Sequence, residues 1–183
     1  MKKLLFAIAA LVFINVAANA QEFKPFSVGV DLGYGIPTGD KLNGGIIFAV
    51  EPAWKFNDQL EASLRYEGAV LAGVSEDGTE VDASAIGSWL IGGRYFLNTN
   101  DFRPFAGLGL GIFNIASTTA IDENFETFEV GGTKFGFAPK VGFQFKHIRL
   151  AAEYNAVLGV EEQLGSQNYL SIKFGAVIGG GRF

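Results

Sequence analysis

The chain has no cysteine and a single histidine in 183 residues. Without thiols there is no disulfide scaffold and no Cys-ligated zinc or iron–sulfur site. One histidine argues against His-rich metal sites and against most Ser-His or Cys-His nucleophile systems. Charge is also scarce: 18% of residues are Asp, Glu, Lys or Arg, and the formal net charge of −5 makes nucleic acid a poor partner. Only one long apolar run is present, at the N-terminus. What the chain has instead is 25 glycines, about twice the usual share, and 18 phenylalanines. With 49% hydrophobic residues it is too apolar for a disordered chain, and its length suits one domain.

Residues 1–20 have the layout of an export signal. Met1-Lys2-Lys3 gives a basic start, the run from Leu4 to Ala18 is apolar except at Asn15, and Ala18-Asn19-Ala20 is a small-residue cleavage site. The run is short of the ~20 residues that a spanning helix needs, so cleavage before Gln21 is expected rather than anchoring. The domain proper is then 21–183. No later segment could cross a membrane as a helix.

The apolar residues recur instead with period two, the strand signal. Phe26, Val28, Val30, Leu32 and Tyr34 alternate with Ser27, Gly29, Asp31 and Gly33; Ala106, Leu108, Leu110 and Ile112 alternate with Gly107, Gly109 and Gly111. Eight such runs predict eight strands of about ten residues, the length that crosses a bilayer when tilted. Short connections near 57–58, 98–101 and 146–147 alternate with long ones near 36–44, 71–82, 116–132 and 159–167. That asymmetry is how outer-membrane barrels are built. A soluble eight-stranded barrel would carry its bulky apolar face inward. Here the polar face holds Gly, Ser and charges small enough for a narrow interior, and the bulky face is too extensive to expose to water. Aromatics near the strand ends suit interface girdles: Trp54, Phe56, Tyr95, Phe143 and Phe145 at one edge, Tyr34, Phe48, Tyr66, Phe135 and Phe137 at the other.

The pattern resembles the OmpA/OmpX-type eight-stranded outer-membrane barrels, the outer-membrane β-barrel domain family. Arg103-Pro104-Phe105-Ala106-Gly107-Leu108-Gly109-Leu110-Gly111 looks like that family's fifth-strand signature. Phe183 looks like its terminal aromatic membrane-insertion signal, although Gly179-Gly180-Gly181 interrupts the alternation before it. The resemblance implies an all-β transmembrane up-and-down barrel in the bacterial outer membrane, with lipid and the barrel-insertion machinery as partners and a monomeric state.

The candidate site is the polar inner face. Its acids are Asp31, Glu51, Glu61, Glu67 and Glu153; its bases are Lys55, Arg65, Arg94, Lys140, Arg149 and Lys173. Such near balance suits a self-neutralising plug better than a charge-selective constriction. Turn geometry sets Lys55 opposite Glu61, Glu51 opposite Arg65 and Lys140 opposite Glu153, and barrel closure brings Lys173 near Asp31. On the inner face only Ile47, Ile86, Leu90, Phe105, Phe113 and Val177 are counted as apolar. A narrow conduit or binding barrel for small solutes, hydrophobic ones included, resembling OmpW-type proteins, is therefore the second reading.

Three of the long connections, 71–82, 116–132 and 159–167, are acidic, with ten of the 19 acidic residues and no Lys or Arg: Glu76, Asp77, Glu80, Asp82; Asp122, Glu123, Glu126, Glu129; Glu161 and Glu162. An extracellular partner could meet them, and Phe125 and Phe128 could take part in that contact. Glu76, Glu80 and Asp82 do not follow the EF-hand spacing, so solvated loops are expected rather than a Ca²⁺ site. No cofactor or metal is implied. A lipid-modifying enzyme, known in this architecture, is the third reading, but the sole His147 falls in a short turn with no Ser beside it.

Overall fold

The structure, a computed structural model, describes residues 24–39, 43–74, 80–121, 128–160 and 166–181. The predicted export signal and Phe183 lie outside the described residues. Eight antiparallel strands follow one another: β1 Lys24–Pro37, β2 Gly44–Lys55, β3 Leu60–Val74, β4 Glu80–Phe96, β5 Phe102–Ile121, β6 Phe128–Phe145, β7 Ile148–Val157 and β8 Tyr169–Gly181. Each pairs with its neighbours in sequence and β8 pairs with β1, so the barrel is closed. Closure leaves no unpaired sheet edge, which is what lets strands cross a hydrocarbon layer.

Three short turns join the strands at one end. Asn57 Oδ1 accepts from the backbone N–H of Gln59 at 2.8 Å and of Leu60 at 2.7 Å. Asn98 Oδ1 accepts from the Asn100 N–H at 3.1 Å. Asparagine side chains thus satisfy the turn backbone that the ladder has released. Between β6 and β7 the turn is Lys146-His147, with Lys146 at φ 51°.

At the other end the strands run further than alternation predicts. Much of the segments 71–82 and 116–132, expected as loops, is strand: β3 has 15 residues, β4 17, β5 20 and β6 18. About 9–11 residues suffice to span a bilayer, so these hairpins stand clear of it. Beyond the membrane their outer face need not be apolar, and the period-two signal fades while the backbone ladder continues. Gly179 and Gly180 break the alternation by taking φ 79° and 76°. They sit where the β1–β8 register shifts between Lys24 and Ser27. Glycine adopts that left-handed backbone without the steric penalty of a Cβ.

The outer face carries Ile46, Ile91 and Ile178, each 70–72% exposed, amid an almost continuous apolar wall. Water would not tolerate that wall; lipid does. The core is the lumen.

Candidate functional site

Side chains fill the lumen in layers. At the short-turn end Phe96, Phe105 and Ala151 cluster, with the Phe96 and Phe105 rings edge to face at 5.7 Å. The middle is ionic. At the loop end Ile47, Ala69, Leu71, Ile86, Leu90, Phe113, Ile115, Ala138, Val157 and Tyr169 form one apolar cluster.

The eleven charged residues expected on the inner face are all buried, and Arg103, which sequence reasoning did not include, is a twelfth, its Nε donating to the Asn100 carbonyl at 2.9 Å. The eleven form two groups. In the first, Glu51 on β2 gathers three bases from three other strands. Its Oε1 accepts from Lys140 Nζ at 2.6 Å, and its Oε2 contacts Arg94 Nη2 and Arg149 Nη1, the latter at 2.9 Å. Ser63 Oγ donates to Glu51 Oε1 at 2.9 Å. Arg149 also donates to Asp31 through Nε, at 3.1 Å, and through Nη2. Arg94 Nη1 donates to Glu61 at 2.5 Å, and Lys55 Nζ lies 3.8 Å from the same carboxylate. The second group joins β3, β7 and β8. Arg65 Nη1 donates to Glu153, Lys173 Nζ donates to Glu153 at 2.9 Å and to Glu67 at 2.6 Å, and Tyr169 Oη donates to Glu67 at 2.8 Å.

This wiring corrects the expected partners. The registers place Lys55 opposite Glu61 and Lys140 opposite Glu153. Yet Lys140 reaches Glu51, and Glu153 takes Arg65 and Lys173. Glu51 takes Arg94, Lys140 and Arg149 in place of Arg65. Lys173 is opposite Gly33, and Asp31 belongs to Arg149. Directly opposite residues are the right neighbours for short side chains. An eight-stranded lumen is only as wide as the side chains that fill it, so long Lys and Arg side chains cross it to more distant strands. Glycine makes the room: a Cβ at Gly29 would lie 2.4 Å from Arg149 Nη2, and one at Gly175 would lie 2.1 Å from Asp31 Oδ1.

With Arg103 the inner face has seven bases to five acids, and aromatic rings add to the stabilisation of the cations. Lys55 Nζ, which makes no hydrogen bond, lies 4.8 Å from the Phe96 ring centre, and the Arg94 guanidinium lies 4.8 Å from that of Phe105. The negative face of an aromatic ring attracts a cation most effectively where water is excluded.

Sequence reasoning undercounted the apolar lumen. Leu71 lies in a segment expected as a loop, Ile115 just past the fifth alternating run and Phe96 at the end of the fourth, yet all three are buried in the lumen. Tyr169 stood on the polar face but not among the site residues. Asn155, Ala156 and Val157 are buried consecutively, which breaks the alternation on which the inner face was counted. Among the described residues no group of three or more His, Asp or Glu could hold a metal ion. Glu76, Asp77, Asp122, Glu123, Phe125, Glu126, Glu161 and Glu162 lie outside the described residues. The side chains of Glu80, Asp82, Phe128 and Glu129 are likewise not described. His147 sits on the β6–β7 turn at the short-turn end, its Nδ1 3.0 Å from the Val177 carbonyl oxygen.

A closed antiparallel barrel with a bulky apolar exterior and a side-chain-filled polar interior is a membrane barrel of the outer-membrane type. Residues 6–177 match the family described as outer membrane protein beta-barrel domain, and the chain belongs to that family. Its setting is therefore the bacterial outer membrane. Comparison with curated proteins finds no match. Among solved structures it is similar to the Neisserial surface protein NspA (14% identity, TM-score 0.59, covering 83% of this chain and 94% of that one). It is also similar to OprG of Pseudomonas aeruginosa (13%, 0.51, 88% and 97%) and to Ail of Yersinia pestis with the heparin analogue sucrose octasulfate (16%, 0.50, 88% and 99%). At these identities the likeness is one of fold.

Proposed function

We propose that the chain is a non-catalytic outer-membrane barrel whose lumen is plugged by its own side chains, with its exposed role carried by acidic loops that contact a partner outside the cell. The observation that supports the plug is the pair of buried ionic groups: every luminal carboxylate has a basic partner within 4 Å, and the partners come from strands on several sides. Opposite charges that satisfy one another leave no one-sign ring to select an ion. A surface partner for the three acidic loops, which have no Lys or Arg, would be cationic, unlike the sulfated sugar seen with Ail. In the same reading residues 1–20 direct export and Phe183 presents the barrel to the insertion machinery.

Single-channel recording of the refolded protein in a planar bilayer tests the plug. The expected record is silent for the wild type and for Arg65→Ala, with folding verified by a heat-dependent gel shift. Steady discrete openings from the folded wild type would sink the plug and promote the conduit for small solutes.

A further inference from the structure

The outer wall carries one conspicuous notch. On the outward face of β3 and β4, Gly68 and Gly87 are register partners. A Cβ at Gly87 would meet nothing within 4 Å, so the wall there is bare backbone. Around that bare patch Ile46, Phe48, Tyr66 and Val70 stand up to form a groove of about 410 Å³. Rings flank it: Phe48 and Tyr66 on its wall meet edge to face at 5.9 Å, and Trp89, outside the lining, lies 4.8 Å from Tyr66. Phe48 leans over the gap, because a Cβ on Gly68 would come within 2.8 Å of its ring.

The groove belongs to the lipid-facing surface, continuous with the apolar wall. Water has no partners there, and an empty notch forfeits the dispersion contacts of every atom that lines it. A flexible hydrocarbon chain can follow the irregular outline. One strand beyond, Gly87 pairs with Asn114, which is exposed and accepts a hydrogen bond at 2.7 Å from Thr133 Oγ1. This pair is a polar spot on an otherwise apolar face, where the ester of a lipid would find hydrogen-bond partners. The volume falls within the ~300–1,000 Å³ range of small-molecule sites. We infer that the groove holds one fatty-acyl chain of a bilayer lipid, with its ester end toward Asn114 and Thr133.

The sequence supplies the reporter. Its two tryptophans are Trp54 and Trp89, and Trp89 lies two residues from Gly87 on the same face. In the refolded Trp54→Phe protein in dodecylphosphocholine micelles, added phosphatidylcholine with brominated acyl chains should quench Trp89 in two parts. One part saturates at low lipid fraction, and the other rises linearly with bulk lipid. Adding Gly87→Leu, whose side chain enters the open space, should abolish the saturable part alone. A linear titration in the Trp54→Phe protein overturns the proposal whether or not the leucine variant folds. Saturable quenching that survives Gly87→Leu overturns it too, by placing the lipid elsewhere around Trp89. If the saturable part fades as more protein is loaded per micelle, a second copy of the chain is the occupant and the acyl-chain assignment fails.

Discussion

The two halves of the lumen solve the same packing problem with opposite chemistry. Above the small cluster of Phe96 and Phe105 at the short turns, charges cross the barrel and are satisfied by partners on distant strands; toward the loops, aliphatic and aromatic side chains simply fill space. Both are dry. The ionic half is demanding, since each buried charge depends on all the others, and buried ion pairs are often no more stabilising than well-packed apolar groups. Its better-supported value is directional. A one-residue slip of any strand would turn its charges out to the lipid, so the ionic half penalises wrong registers far more than the apolar half can. Tyr169 joins the halves, with its ring in the apolar cluster and its hydroxyl on Glu67.

The comparison can be broken first at Glu51. Glu51→Ala leaves Lys140 without its carboxylate and takes one of two from Arg94 and from Arg149, and a loss of about 3–5 kcal/mol is expected, the cost typical of removing one partner from a buried pair. Urea titration of the gel-shifted form measures it, and a loss below that of an apolar truncation would mean that the ionic half is not the demanding one. Leu71→Ala in the loop-end cluster should cost about 2–4 kcal/mol from lost burial and residual cavity, with the recorded bilayer still silent. Tyr169→Phe keeps the ring and deletes the link to Glu67. A loss of about 1.5–3 kcal/mol is expected, and a null result would show that the two halves are energetically separate. Asp101→Ala, outside the lumen, removes a 3.9 Å contact to Lys146 between two exposed side chains. No more than ~1 kcal/mol should follow, which sets the baseline for the other three.

Legibility followed the same divide. Alternation identifies Asp31, Glu51, Arg65 and Lys173 as inward residues, because each strand displays its faces locally whatever its neighbours do. Which base meets which acid is not local. Lys140 and Glu153 are opposite in register, yet both find other partners, since reach across the lumen depends on barrel diameter and on the glycines that open space for Arg149. Leu71 and Ile115 were lost for another reason. They lie where strands approach the end of the hydrocarbon layer and the outer face is no longer obliged to be apolar, so period two weakens although the ladder continues to Val74 and Ile121.

By itself, then, the sequence determined the eight strands, the side of each that meets lipid and, Arg103 excepted, the charge inventory of the interior, because period two and residue chemistry are properties of each strand alone. Only the tertiary structure decided the ion-pair partners, the division of the lumen into ionic and apolar halves and the groove at Gly68 and Gly87. Those depend on strand register, shear and the width of a closed ring, and these quantities arise only when eight strands meet.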